Sequence, residues 1–166
     1  VLEYAGSNGA SLIFGFMLTA AVISMWVMNT ATTIMLLPIG LAVITVVKET
    51  VKGLNEQEIE SFQLALLLGI AYGATIGGMS TLIGTGPNGM LAAFMADNYN
   101  LDISFVDWMK VGVPLSIIML PCSWLILTKL IFKVEFQTSQ ETKDLLTDMK
   151  EELGRFDGAE FKVFIV

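Results

Sequence analysis

The chain has 166 residues, 54% of them hydrophobic and 15% charged, with a mean hydropathy of +0.70; an ordinary soluble domain carries about 25% charged residues, so this composition is that of a membrane protein. A net charge of −7 excludes a nucleic-acid surface, which needs a basic stripe. The single cysteine, Cys122, excludes a disulfide framework or Cys-rich metal centre, and the absence of histidine excludes Ser-His-Asp and Cys-His catalysis and haem ligation by His.

Residues 4–47, 61–96 and 111–128 carry no charged side chain. A membrane-spanning helix needs about 20 apolar residues. The third run fits one span, extended by the segment before it to residues 104–133. The first two are too long for one helix; the first would reach roughly 66 Å as a single helix. It also lacks the positive leading region of a signal peptide and exceeds its length.

Both long runs hold a polar island. In the first it is residues 28–33, Met-Asn-Thr-Ala-Thr-Thr, between arms at 10–27 and 34–47. Each arm is short for a span and suits half of a re-entrant hairpin over residues 10–47. In the second the island is residues 80–89, STLIGTGPNG, between 62–79 and 90–96. Pro87 removes a donor, and the glycines beside it permit unusual dihedrals. The pattern predicts a discontinuous helix over 62–96: a long half, an unwound segment and a short half. Either island alone has a plainer reading as a kink or packing feature. Two interrupted hydrophobic segments in succession point to a transporter binding site.

Between residues 48 and 60 lie Lys48 and Lys52; between 97 and 107 lie Asp97, Asp102 and Asp107, with no Lys or Arg; after the third run come Lys129, Lys133, Lys143, Lys150 and Arg155. The positive-inside rule places the first and last of these regions in the cytoplasm and the second outside. The expected location is the cell membrane, multi-pass, with a cytoplasmic C-terminal region. Within 138–153, Leu145, Leu146, Met149 and Leu153 share one helical face, and Thr138 with Glu141 has capping-box spacing. This predicts an amphipathic helix at the cytoplasmic interface, or a solvated linker helix. Gly69, Gly73 and Gly77 repeat every four residues and predict a face open to close backbone approach.

Neither island holds a charge, so an intramembrane general acid, base or nucleophile pair is missing and an enzyme is not expected. The islands offer hydroxyl, amide and freed backbone groups. Carbonyl and hydroxyl oxygens suit a hard cation such as sodium; helix N-termini suit an anion. This is the profile of a cation-coupled anion carrier that avoids burying a fixed charge.

The stretches SMWVMNTATTIMLLPIG at 24–40 and GIAYGATIGGMSTLIGTGPN at 69–88 resemble the divalent anion/sodium symporter family, carriers of di- and tricarboxylates or sulfate. The first resembles the family's Ser-Asn-Thr hairpin tip, the second its unwound helix with a Gly-Thr-x-x-Asn pattern. The resemblance implies an all-α membrane fold: half of an inverted-repeat transporter, with a membrane transport core at 1–134 and a cytoplasmic linker leading into the next repeat at 135–166. It implies sodium ligands from Ser24, Asn29, Gly78, Ser80, Thr81 and Gly84, and contacts to the anion from Asn29, Thr30, Thr85, Pro87 and Asn88. Sodium is then the coupling ion, with no other cofactor. The implied partners are a dicarboxylate such as succinate, malate or citrate, the bilayer, a second repeat that this chain lacks, and a second copy in a full-length homodimer. The sequence departs from the family at Met28, where the family carries serine; a thioether is a poor sodium ligand, so that ligand is missing or replaced by backbone or water. A sulfate or other inorganic anion carrier on the same scaffold, and a truncated non-transporting membrane component, stay open as alternatives.

Overall fold

A computed structural model describes residues 8–51 and 55–134. It is all-α, with no strand among the described residues: α1 (Gly9–Ser24), α2 (Asn29–Thr50), α3 (Glu56–Met79), α4 (Gly86–Tyr99) and α5 (Phe105–Leu125), the last continued by a π-helical segment, Ile126–Ile131. Three helices are long and apolar enough to cross a membrane: Asn29–Glu49, Glu56–Met79 and Phe105–Ile131. The expected amphipathic helix at 138–153 lies outside the described residues.

The helix bounds follow from local chemistry. Asn55 and Glu58 form a capping box at the start of α3: the Glu58 N–H donates to Asn55 Oδ1 at 2.8 Å and the Asn55 N–H to Glu58 Oε2 at 2.9 Å. Ser104 accepts from the Asp107 N–H at the start of α5. Asn100 ends α4 in the left-handed conformation, φ 52°, a region that asparagine tolerates better than most residues.

The two breaks are shorter than the polar islands. The first is residues 25–28. Asn29 to Thr33, expected to interrupt the hairpin, form the opening of α2, where the Thr33 hydroxyl donates back to the Asn29 carbonyl at 2.8 Å. With Lys48 to Thr50 added at the other end, α2 reaches 22 residues rather than the short arm expected. The second break is residues 80–85, and the half-helix after it has 14 residues, not the few at 90–96. Pro87 lies in the first turn of α4, where the donor it lacks has no intrahelical partner in any case.

Side-chain pairings fix the helix directions. Gly69 meets Ile13 and Met17, Gly73 meets Met17, and Gly77 meets Ala21, so α1 and α3 run parallel. The glycine stripe is the packing face the four-residue spacing predicts. Gly40 on α2 faces Ile70 while Asn29 faces Gly78, so α2 is antiparallel to α3. On α5, Trp108 reaches Met79, Ser116 reaches Ile76, and Trp124 reaches Ala10, so α5 is antiparallel to both α1 and α3. Ile13, Met17, Ala20, Phe62, Leu66 and Ile70 fill the core between them, each no more than 1% exposed.

One consequence positions the site. The turn between α1 and α2, the end of α3 and the start of α5 all lie at one level. Asn55, Gln57, Glu58 and Ser61 line one cleft at the opposite end with Phe132, Lys133 and Val134. Helix α4 leaves the bundle at the break; of its 14 residues only Asn88 is buried.

Candidate functional site

The two breaks are bonded to each other. The fully buried Thr81 hydroxyl donates to the Met25 carbonyl at 2.6 Å and accepts from the Gly84 N–H at 3.0 Å. One side chain thus closes the α1–α2 turn onto the α3–α4 break and shapes the latter into a tight loop.

Beside this joint, oxygens converge on two glycines. The buried Ser24 hydroxyl donates to Asn29 Oδ1 at 3.2 Å. Asn29 Oδ1 lies so close to Gly78 that a Cβ there would collide with it. Gly84 packs against the Gly78 carbonyl, and a Cβ on Gly84 would lie 2.9 Å from the Ser24 carbonyl oxygen. Ser24 Oγ, the Ser24 carbonyl, Asn29 Oδ1 and the Gly78 carbonyl therefore sit around Gly78 and Gly84. Only glycine permits so close an approach. These are hard, uncharged oxygens of the kind that replace a hydration shell around sodium. No group of three or more His, Cys, Asp or Glu lies together among the described residues.

Two helix N-termini flank the same point. Asn29 is the first residue of α2, and Asn88 the third of α4. Asn88 Nδ2 donates to the Gly78 carbonyl at 3.0 Å and the Thr81 carbonyl at 2.7 Å. Neither helix has a side-chain cap: Met28 and Thr85 occupy the cap positions without a capping bond. Their opening N–H groups, at the positive ends of the helix dipoles, are suited to an anion. Thr30 and Pro87 are exposed beside them, and Thr85 is half-buried.

Of the residues singled out from sequence, Ser24, Asn29, Gly78, Thr81, Gly84 and Asn88 come together. The Ser80 side chain does not join them: it is buried and bonds Ser116 Oγ on α5 at 2.8 Å, one residue of helical rotation having turned it to another face. Met28 is 62% exposed. Sequence reasoning missed Met25, whose carbonyl takes the Thr81 hydroxyl; no side-chain pattern signals a backbone acceptor.

Residues 1–151 match a family model described as Citrate transporter. The chain is 36% identical over 167 residues to the sodium-dependent dicarboxylate transporter SdcS of Staphylococcus saprophyticus subsp. saprophyticus, covering 100% of this chain and 32% of that protein. It is 33% identical over 156 residues to the sodium-dependent dicarboxylate transporter SdcS of Staphylococcus aureus strain USA300, covering 93% of this chain and 30% of that protein. The chain thus spans just under a third of the length of the curated relatives it matches. These matches agree with the resemblance read from the motifs at 24–40 and 69–88. On the match over residues 1–151, the chain belongs to the citrate transporter family.

Proposed function

We propose that this chain supplies one half of the binding site of a sodium-coupled dicarboxylate carrier in the cell membrane. The observation that carries the reading is the convergence of Ser24, Asn29, Gly78 and Gly84 beside two uncapped helix starts. Sodium is held by Ser24 Oγ, Asn29 Oδ1 and the carbonyls of Ser24 and Gly78, with Thr81 fixing the loop. The carboxylate meets the first turns of α2 and α4 at Asn29, Thr30, Thr85, Pro87 and Asn88. A cation and an anion side by side neutralise each other, so neither needs a buried fixed charge, which is costly in a membrane.

The helices α1 and α2 form the re-entrant hairpin in this reading. Helix α1, 16 residues long, covers roughly 24 Å, less than the hydrocarbon thickness of about 30 Å. The exposed Lys110–Asp107 ion pair, 2.6 Å, sits at the start of α5. The second anion-binding half comes from an inverted repeat, the complete transporter is a homodimer, and the lysine-rich end faces the cytoplasm. The identity to dicarboxylate transporters favours a dicarboxylate over sulfate.

The test is uptake of labelled succinate into proteoliposomes of the complete transporter, with an inward sodium gradient or with choline. Wild type accumulates succinate only with sodium, and Asn29→Ala abolishes that uptake. Sodium-dependent uptake that survives Asn29→Ala unchanged would reduce the tip to a structural feature.

A further inference from the structure

An α-helix ends with four carbonyls that have no partner in the next turn. At the end of α3 these belong to Ile76, Gly77, Gly78 and Met79, and each is satisfied from a different place. The Gly77 carbonyl accepts from the Ser80 N–H at 3.0 Å, and the Gly78 carbonyl from Asn88 Nδ2 at 3.0 Å. The other two turn to α5. The Ile76 carbonyl accepts from Ser116 Oγ at 2.9 Å, and more weakly from Ser80 Oγ at 3.5 Å. The Met79 carbonyl accepts from Trp108 Nε1 at 3.0 Å. Between these contacts lies Gly112, buried, where a Cβ would be 2.7 Å from the Ser80 carbonyl oxygen and 2.9 Å from that of Met79.

Trp108, Gly112 and Ser116 are four residues apart and form one ridge of α5. In a continuing helix the Ile76 carbonyl would take the Ser80 N–H, and the Met79 carbonyl the N–H of Ile83. Side chains of α5 stand in for both. They occupy the carbonyls that α3 would need to rewind through residues 80–85, and Gly112 lets the two backbones close up.

We propose that Trp108, Gly112 and Ser116 are positioning residues for the cation site: they hold the α3–α4 break open from the face that α3 turns to α5, and so fix where Gly78 and Gly84 present themselves to Asn29 and Ser24. Ser80 belongs to this clasp, through its bond to Ser116, rather than to the sodium shell. The inference rests on the sodium reading above for its consequence, but the clasp itself can be tested without sodium.

Two variants remove a donor and keep most of the bulk: Ser116→Ala and Trp108→Phe. In the complete transporter each is expected to raise the sodium concentration for half-maximal succinate uptake roughly three- to tenfold, the equivalent of one lost hydrogen bond. Melting in choline chloride is expected to fall modestly, as for any lost hydrogen bond, and Ser116→Thr, which restores a hydroxyl, should recover the wild-type sodium dependence. Independently of sodium, a cysteine placed at the exposed Ile83 in a Cys122→Ser background reports the break. Its labelling rate by a maleimide in choline should change severalfold when Ser116→Ala or Trp108→Phe is added, while a cysteine at Leu41 on α2 should not respond. Unchanged labelling at position 83 in both variants overturns the proposal, and so does a sodium dependence that Ser116→Ala leaves at its wild-type value. A wild type that shows no sodium dependence while labelling responds would refute the cation reading and leave the clasp standing.

Discussion

Gly77 and Gly78 are adjacent on α3 and should respond to alanine in opposite ways, because one faces backbone and the other a side chain. At Gly77 a Cβ would collide with the Ala21 carbonyl oxygen and lie 2.5 Å from its Cα. Backbone cannot rotate aside, so α1 and α3 must separate by about 1 Å, and overpacking of this kind costs about 1–3 kcal/mol. At Gly78 the Cβ would meet Asn29 Oδ1, with Asn29 Cγ at 3.0 Å and Nδ2 at 3.2 Å. That side chain can swing away. Its departure breaks the 3.2 Å bond from Ser24 and carries one oxygen out of the cluster. Alanine also gains up to about 1 kcal/mol over glycine within a helix, which offsets the lost neutral hydrogen bond. Gly78→Ala should therefore melt close to wild type in choline chloride, yet need roughly ten- to a hundredfold more sodium for half-maximal stabilisation, as a bond to a charged group is worth about 1.5–3 kcal/mol. Gly77→Ala should melt lower in both salts, with half-saturating sodium altered far less. The assay is thermal unfolding of the detergent-purified transporter over a sodium series at constant ionic strength. Equal half-saturating sodium for Gly78→Ala and wild type would refute ligation by Asn29. A Gly77→Ala protein as stable as wild type would refute the close α1–α3 packing.

Met28 caps α2 without a capping bond and is 62% exposed. Met28→Ser should raise stability by ~1 kcal/mol through a hydroxyl accepting from the opening N–H groups, leaving half-saturating sodium where it was; a tenfold fall would show instead that this position reaches the ion. For sidedness, in a Cys122→Ser background a cysteine at Asn100 should be labelled by an impermeant maleimide added outside intact cells, and one at Asn55 spared, both positions being exposed. The reverse pattern would invert the topology drawn from Lys48, Lys52, Lys129 and Lys133.

The ends of the apolar runs and the glycine stripe were legible because they depend on charge and spacing alone. The break positions were not. Asn29, Thr30, Thr32 and Thr33 read as a polar interruption, yet a hydroxyl such as that of Thr33 satisfies itself on its own helix. Composition therefore does not separate a polar first turn from an unwound loop. Pro87 misled in the same way: a residue that breaks a helix from within is welcome in its first turn. The resemblance implied Ser80 and Thr81 together as sodium ligands, but their side chains face different partners: Thr81 bonds the α1–α2 turn and Ser80 bonds α5. The ridge of Trp108, Gly112 and Ser116 carries its spacing openly, but only the antiparallel docking of α5 on α3 shows that it meets carbonyls.

In the proposed site the coupling of ion to anion follows from the placement of Asn29. Its side-chain oxygen belongs to the cation cluster, and its backbone opens α2 toward the anion. An ion that draws in Oδ1 also fixes the first turn of α2, and with it the N–H groups the carboxylate needs. Asn88 does the corresponding work on the other helix: its amide nitrogen holds the Gly78 and Thr81 carbonyls in place while its backbone lies in the first turn of α4. Thr81 then ties the two turns together through the Met25 carbonyl. In this proposal sodium is the common partner of the cluster oxygens, added to the Thr81 bond that already holds the two helix starts side by side. In the proposed site anion binding is thus conditional on the cation through two asparagines and a threonine, without a charged residue among them.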